Sequence, residues 1–211
     1  MGNTLGNRPQ DIQHSDCVVL WSLNAVATDV HVLHDVTIAR QRGAKLWVID
    51  TYYTETTKLA DEVIIIRPGT DGAFALGVAY VLVEEGLVHE EFIHQYVQGY
   101  EGFRDAVISQ YPPSKVTRIT GVPEERIIQF ARAYGQAMAP FIRLGSGLSR
   151  YGNGANTVRC VVALPALVGA YLHTGGGLLS SASDSQFVGG KRVSWERFQI
   201  KETRLNPMIH L

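Results

Sequence analysis

The stretch that decides the fold of this protein runs from residue 17 to residue 50 and reads CVVLWSLNAVATDVHVLHDVTIARQRGAKLWVID. Its first five residues are apolar and partly β-branched, which predicts a short strand buried on both faces, as in a parallel sheet. Over residues 29–41 apolar side chains recur with helical spacing, and Gly43 follows the end of this helix. A second apolar segment, residues 45–49, ends at Asp50. Strand, helix and strand in this order predict the first unit of a doubly wound α/β sheet.

The rest of the chain extends this pattern. Further strands are predicted at residues 62–66 and 141–144, and helices that cover the sheet at residues 73–85 and 155–168. The segment between them, about residues 87–138, is predicted to be a mostly helical insert, with helices at 89–97, 100–111 and 123–137. We therefore expect a three-layer, Rossmann-like α/β domain with a mostly parallel sheet over residues 1–180, and an irregular extension over residues 181–211.

Composition limits the classes of function. The chain has 211 residues, enough for one domain with a substantial core. Hydrophobic residues make up 45% and charged residues 18%, and the formal net charge is −1. This balance is typical of an ordinary globular domain, so we expect no nucleic-acid partner and no membrane contact by this chain.

Only two cysteines occur, Cys17 and Cys160, and they form no CxxC pair. Two cysteines are too few for an iron–sulfur cluster or a four-cysteine zinc site. Both lie in apolar surroundings, which predicts two buried free thiols in a reducing compartment and hence a cytoplasmic location. Nor does the segment from Gly145 to Arg150 form a nicotinamide-binding turn, because Arg150 occupies the place of the third glycine of GxGxxG. No residue is assigned a catalytic or metal-binding role.

Polar residues follow the ends of the predicted parallel strands. Asn24 follows the first strand, Asp50 the second, and Thr70 and Asp71 the third, while two glycines follow the strand at residues 141–144. Open α/β sheets bind ligands at this edge. A carboxylate there can accept hydrogen bonds from a ribose diol, or from the N1–H and exocyclic amine of guanine, whereas adenine would leave one oxygen unpaired. On these grounds the sequence predicts a nucleotide-binding domain.

Each of these residues also has a simpler interpretation. Asn24 could cap the following helix, Asp50 could belong to a turn at the strand end, and Asp71 is a good N-cap residue for the helix after it. For Gly145 and Gly147 a plain tight turn would be sufficient. The residues alone leave both interpretations open.

An ordered set of short motifs resembles the dimethyl sulfoxide reductase family of molybdenum enzymes. The motifs are Trp21-Ser-Leu-Asn24 with Thr28, Gly43-Ala-Lys45, Val48-Ile-Asp50 with Thr54-Glu-Thr56, Leu59-Ala-Asp61, Arg67-Pro-Gly-Thr-Asp71 and Gly145-Ser-Gly147 with Gly154. The resemblance implies a domain that holds the guanosine diphosphate part of one of two molybdopterin guanine dinucleotides. The contact positions that it implies are Asn24, Asp50, Thr54 and Asp71. With the other residues at the strand ends, the expected cofactor-binding set is Ser22, Asn24, Asp50, Thr54, Gly69, Thr70, Asp71, Gly145 and Gly147.

The chain departs from the family pattern near two strand ends. The family usually has glycine at the position of Ser22, proline at Ala25, and Asp-Pro-Arg where this chain has Asp50-Thr51-Tyr52. Loss of the arginine removes a charged contact to the phosphate side of the cofactor. Tyr52 or Tyr53 could instead stack on the guanine.

The resemblance also implies that the chemistry lies outside this chain. Family members carry an iron–sulfur or cysteine-bearing segment and the ligand of the molybdenum or tungsten before this region, and a further domain after it. We therefore expect a fragment of a larger oxidoreductase whose partner is the remainder of its own polypeptide, including an iron–sulfur segment if one is present. The chain alone is expected to lack the metal and to be inactive. The alternative is a stand-alone nucleotide-binding or accessory module without redox activity.

Overall fold

A computed structural model of the protein describes residues 7–180, 187–188, 191–192 and 209–210. Its centre is a five-stranded sheet with the strand order β3-β2-β1-β5-β6, in which every neighbouring pair is parallel. The strands are β1 (Cys17–Trp21), β2 (Lys45–Asp50), β3 (Glu62–Ile65), β4 (Val97–Gln98), β5 (Pro140–Leu144), β6 (Gly177–Ser180), β7 (Phe187–Val188), β8 (Lys191–Arg192) and β9 (Ile209–His210).

Helices cover the sheet. They are α1 (Ala25–Thr28), α2 (Val30–Gln41), α3 (Asp71–Glu84), α4 (Glu90–Tyr96), α5 (Tyr100–Gln110), α6 (Pro113–Thr120), α7 (Glu124–Gln136) and α8 (Gly154–Leu167). Short 3-10 helices lie at Pro9–His14, Thr57–Leu59, Ser146–Arg150 and Ala170–Leu172. No helix in the described part of the chain is both long enough and apolar enough to span a bilayer.

The predicted first unit is confirmed. Strand β1 runs parallel to β2 with Cys17 opposite Lys45 and Trp21 opposite Ile49, and β5 lies on the other side of β1. Alternate residues of β1 enter two separate cores, as the pleat of a strand requires. Val19 and Trp21 lie in the core beneath α3, α7 and α8, while Val18 and Leu20 lie in the core beneath α2. Helices on both faces of a parallel sheet confirm the three-layer α/β class.

An aromatic cluster occupies the centre of the larger core. The ring of Phe130 lies 5.1 Å from Trp47, 5.8 Å from Phe74 and 6.5 Å from Trp21, measured between centroids. Most of these contacts are edge-on, the favoured arrangement for aromatic pairs. Because Trp21 ends β1, the cluster connects the core directly with the edge of the sheet where the parallel strands end.

Residues 87–138 contain four helices, α4 to α7, and the short strand β4, whereas the sequence predicted three helices. The missed helix is α6. It begins with Pro113 in its first turn and is rich in β-branched residues, which are weak helix formers. Tertiary packing stabilises it, because Val116 is fully buried against Gly77 of α3, where a Cβ would lie 2.9 Å from the valine methyl groups.

The sheet also has a fifth strand that the sequence did not predict. Strand β6 pairs in parallel with β5, from Phe141 opposite Gly177 to Leu144 opposite Ser180. Three successive glycines precede its apolar residues, and its length of four residues leaves little periodicity to detect. The irregular extension predicted for residues 181–211 lies largely outside the described residues. Its described parts are β7 paired antiparallel with β8, and β9 paired in parallel with β4.

Candidate functional site

The carboxyl ends of the parallel strands meet at one edge of the sheet. We call this edge the rim and define it as residues 22–24, 50–54, 67–71 and 145–151. Backbone hydrogen bonds join its loops: the Ser22 amide donates to the Ile49 carbonyl at 2.7 Å, and the Gly145 amide donates to the Trp21 carbonyl at 2.8 Å. All the site residues predicted from the sequence lie in these segments.

Asp71 lies at the centre of the rim and is 1% exposed. Its Oδ1 atom accepts a hydrogen bond from Trp21 Nε1 at 2.8 Å and a longer one from Ser22 Oγ at 3.4 Å. Its Oδ2 atom is buried and has no hydrogen-bond partner among the residues that the structure describes. The interpretation of Asp71 as an N-cap is wrong, because Thr70 is the N-cap of α3 and Asp71 begins the helix. The side chain of Asp71 instead accepts from an indole buried at the end of β1.

Asp50 is the second buried carboxylate of the rim, 7% exposed, and it ends β2. Its Oδ1 atom accepts a hydrogen bond from the Thr51 amide at 2.7 Å. Burial raises the pKa of Asp50; the Thr51 amide opposes this, and the negative charge of Asp71 raises the pKa further. Burial also raises the pKa of Asp71, although the Trp21 indole opposes this. Among the residues that the structure describes, no cation forms an ion pair with either acid, so burial dominates both pKa values.

Asn24 connects two loops of the rim. Its Oδ1 atom accepts a hydrogen bond from Thr56 Oγ1 at 2.9 Å, and the same hydroxyl accepts from the Val26 amide at 3.1 Å. Asn24 is the N-cap residue of α1, although its side chain makes no capping hydrogen bond, and it does not cap the longer helix α2, whose N-cap is Asp29. The neighbouring Thr54 is buried, and its hydroxyl has no partner within the described residues.

The rim glycines fall into two groups. A Cβ atom on Gly145 would lie 1.9 Å from the carbonyl oxygen of Ser22, so the close approach of two loops requires this glycine. Gly69 has a φ of +78°, a conformation that favours glycine. In contrast, a Cβ on Gly147 would meet its nearest atom at 3.8 Å, and the backbone of Gly147 is not left-handed. The described fold therefore does not by itself require glycine at residue 147.

Two further rim residues have backbone roles. Thr70 donates from Oγ1 to the Arg67 carbonyl at 2.7 Å and so closes the turn before α3. Ser22 has a φ of +49° and is the only non-glycine residue with positive φ among those described. That strained conformation, at a place where the resemblance predicts glycine, is consistent with a sharp turn out of β1.

Sequence reasoning missed Trp21 and Tyr151. Trp21 is fully buried. A tryptophan at the end of a predicted buried strand needs an acceptor for its indole N–H, and that requirement could have pointed to this residue. Tyr151 lies against the Gly69 turn, with ring atoms 3.5 Å from the place of a Cβ at residue 69. The exposed rings of Tyr52 and Tyr53, at 62% and 76% exposure, remain available for stacking.

The cysteines differ from each other. Cys17 is buried, and burial raises its pKa to about 12, as expected for an inert core thiol. The prediction that Cys160 is also buried is wrong, because this residue is only partly buried, although its sulfur packs near Gly72 of α3. Both thiols are free, and no cluster of three metal-ligating side chains occurs within the described residues.

Residues 1–205 match the family model of the molybdopterin oxidoreductases. The chain belongs to this family. It is 43% identical over 183 residues to the probable oxidoreductase YoaE of Bacillus subtilis, covering 87% of this chain and 27% of that protein. It is 35% identical over 187 residues to the dimethyl sulfoxide reductase DmsA of Escherichia coli, covering 78% of this chain and 23% of that protein.

A solved structure supports the same assignment. Acetylene hydratase from Pelobacter acetylenicus superposes with a TM-score of 0.69 and 26% sequence identity, over 77% of this chain and 24% of that chain. The chain thus spans about a quarter of the length of the relatives it matches. Complete enzymes of this family hold a molybdenum or tungsten pterin cofactor.

Proposed function

We propose that this chain binds the guanosine diphosphate part of a molybdopterin guanine dinucleotide at the rim. The observation that carries the proposal is the buried carboxylate of Asp71, whose Oδ2 atom lacks a partner among the described residues. Leaving a buried acceptor without a donor costs about 1–3 kcal/mol, and a ligand bound at the rim would supply the donor that Oδ2 lacks. Guanine offers two adjacent donors, N1–H and the exocyclic amine, and the two lone pairs of Oδ2 can accept both.

The remaining rim residues fit the other parts of the nucleotide. Asp50 is a second buried acceptor, suitable for the hydroxyl groups of a ribose, and Thr54 adds a buried hydroxyl without a partner in the described part. Gly147 leaves room for phosphate oxygens to approach the backbone, and Gly69 gives the turn before Asp71 its left-handed conformation. Ser22, Asn24, Thr70 and Gly145 shape the loops around these contacts.

Access to Asp71 requires a small rearrangement. Because Asp71 is 1% exposed, a base reaches Oδ2 only when residues above it move. The hydrogen bond from Ser22 Oγ to Asp71 is the longer of the two described, at 3.4 Å, and Ser22 has a strained backbone. We therefore include local opening of the rim at Ser22 in the proposal, and expect association slower than diffusion.

The proposal also covers the metal centre and the location of the whole enzyme. When bound, the molybdenum or tungsten pterin supplies two-electron or oxygen-atom transfer. We propose that the metal ligand and any iron–sulfur segment belong to the remainder of a longer polypeptide, in keeping with the quarter of each relative that the chain spans. We also propose a cytoplasmic location, where free thiols such as Cys17 and Cys160 stay reduced.

The Asp71→Asn variant tests guanine recognition. An asparagine places an amide donor, or a weaker carbonyl acceptor, opposite two guanine donors, so we expect a loss of about 2 kcal/mol, roughly 30-fold, in affinity for guanosine diphosphate. Affinity for adenosine diphosphate should change little. Titration calorimetry with guanosine, inosine and adenosine diphosphates measures the preference, since inosine lacks the exocyclic amine. Asp105→Asn, on the exposed surface of α5, is the matched control.

The same variant separates recognition from folding. The folded chain raises the pKa of Asp71 above its unfolded value, so this group contributes stability below the unfolded pKa that is lost as the pH rises through the folded pKa. Asp71→Asn removes that dependence and should be no less stable than the parent at pH 7. A parent chain that binds guanosine and adenosine diphosphates equally would show the proposed function to be wrong. So would an Asp71→Asn variant that keeps the full preference.

A further inference from the structure

The indole of Trp21 is held from several directions. The residue ends β1, is fully buried, and lies opposite Ile49 on β2 and Leu144 on β5. Its ring makes edge-on contacts with Phe74, at 5.6 Å between centroids, and with Phe130, at 6.5 Å. The dense packing of the core leaves this ring few other orientations. The direction of its N–H bond is therefore set by the packing of the core.

That N–H bond determines how Asp71 is presented. A carboxylate rotates easily about its terminal torsion, and its two oxygens are chemically equivalent. The 2.8 Å hydrogen bond from Trp21 Nε1 to Oδ1 removes this equivalence and leaves Oδ2 as the oxygen without a described partner. Ser22 Oγ contacts the same Oδ1 atom at 3.4 Å, so it does not compete for Oδ2.

We propose that Trp21 is a positioning residue that sets base specificity: its indole N–H fixes the Asp71 carboxylate so that Oδ2 is the acceptor offered to guanine. The inference rests on the proposed function. It adds a residue that contacts no ligand and acts only through Asp71. The aromatic core of the domain would then determine the geometry of base recognition at the rim.

The test replaces Trp21 with β-(3-benzothienyl)alanine, a near-isostere of tryptophan in which sulfur takes the place of the N–H group. Because shape and packing are kept, folding should be retained where a smaller residue might loosen the core. The same replacement at Trp47, which lies in the same aromatic cluster, is the matched control. Two quantities are measured on each chain: the pKa of Asp71 by carboxyl carbon NMR without ligand, and the ratio of affinities for guanosine and adenosine diphosphates.

We expect the replacement at Trp21 to raise the pKa of Asp71, since the indole hydrogen bond lowers it, and to reduce the preference for guanosine diphosphate about tenfold. The replacement at Trp47 should change neither quantity. If the pKa of Asp71 is unchanged in the Trp21 variant, the inference is wrong whether or not the chain binds nucleotides. A raised pKa with the full guanine preference would overturn the positioning role while leaving the proposed function intact. A parent chain without guanine preference would refute both.

Discussion

Replacing Gly145 with alanine is expected to destabilise the chain by roughly 3 kcal/mol or more, at the upper end of what overpacking a tight site does. The added Cβ would lie 1.9 Å from the carbonyl oxygen of Ser22 and 2.7 Å from its carbonyl carbon. Both are backbone atoms, which cannot rotate away as a side chain would. Separating the two loops would also strain the hydrogen bond from the Gly145 amide to the Trp21 carbonyl. Urea unfolding followed by circular dichroism measures the change.

The matched control for this substitution is Gly147→Ala, two residues further along the same loop. Its Cβ would meet nothing closer than 3.8 Å, so we expect a change in unfolding free energy within about 0.5 kcal/mol. Its affinity for guanosine diphosphate should nevertheless fall, because the methyl group occupies the space proposed for phosphate oxygens. Equal losses of stability in the two variants would contradict the described packing of the rim. Unchanged nucleotide affinity in Gly147→Ala would remove this residue from the site.

Phe130→Ala is expected to lower the free energy of unfolding by about 3–5 kcal/mol. Phe130 is fully buried, and its ring lies within 6.5 Å of Trp21, Trp47, Phe74 and Tyr134. Large neighbouring rings on a rigid sheet cannot collapse into the space that the substitution leaves, so most of the cavity should remain. The near-ultraviolet circular dichroism of the tryptophans should weaken as well. Chemical unfolding of the variant beside the parent chain measures the loss.

The control for the core substitution is Met138→Ala, because Met138 is 70% exposed. This change should alter stability by no more than about 0.5 kcal/mol. If Phe130→Ala costs no more than Met138→Ala, the aromatic cluster is not the centre of the core. Because Trp21 lies in contact with Phe130, the Phe130→Ala variant also tests whether a change in the aromatic cluster alters the rim.

Much of the fold was predictable from local pattern. The apolar run Cys17–Trp21, the helical spacing before Gly43 and the second run ending at Asp50 are each properties of a few consecutive residues. Short-range periodicity reports burial directly, and the handedness and order of βαβ units then restrict the topology. The same rule brought Asp50 and Asp71 to one edge, because parallel strands end together. The negative charge of Asp71 raises the pKa of Asp50, which agrees with this placement.

Other features depended on contacts between distant parts of the chain. Strand β6 and helix α6 carry weak local signals and are stabilised by neighbours, β5 in one case and Gly77 of α3 in the other. Gly145 and Gly147 look alike in the sequence, yet a Cβ would lie 1.9 Å from the Ser22 carbonyl oxygen at Gly145 and 3.9 Å from it at Gly147. The sequence left open whether Asp71 caps its own helix, whereas in the structure its side chain accepts a hydrogen bond from Trp21, fifty residues earlier.

The sequence by itself therefore determined the class of fold, the edge of the sheet where polar groups gather and, through its motifs, the family. Only the tertiary structure decided what each polar group does there. The physical reason is the range of the interactions involved. Periodicity and strand order arise from neighbours in the chain, whereas the partner of a carboxylate such as Asp71 and the space beside a glycine such as Gly145 are set by residues that meet only after folding.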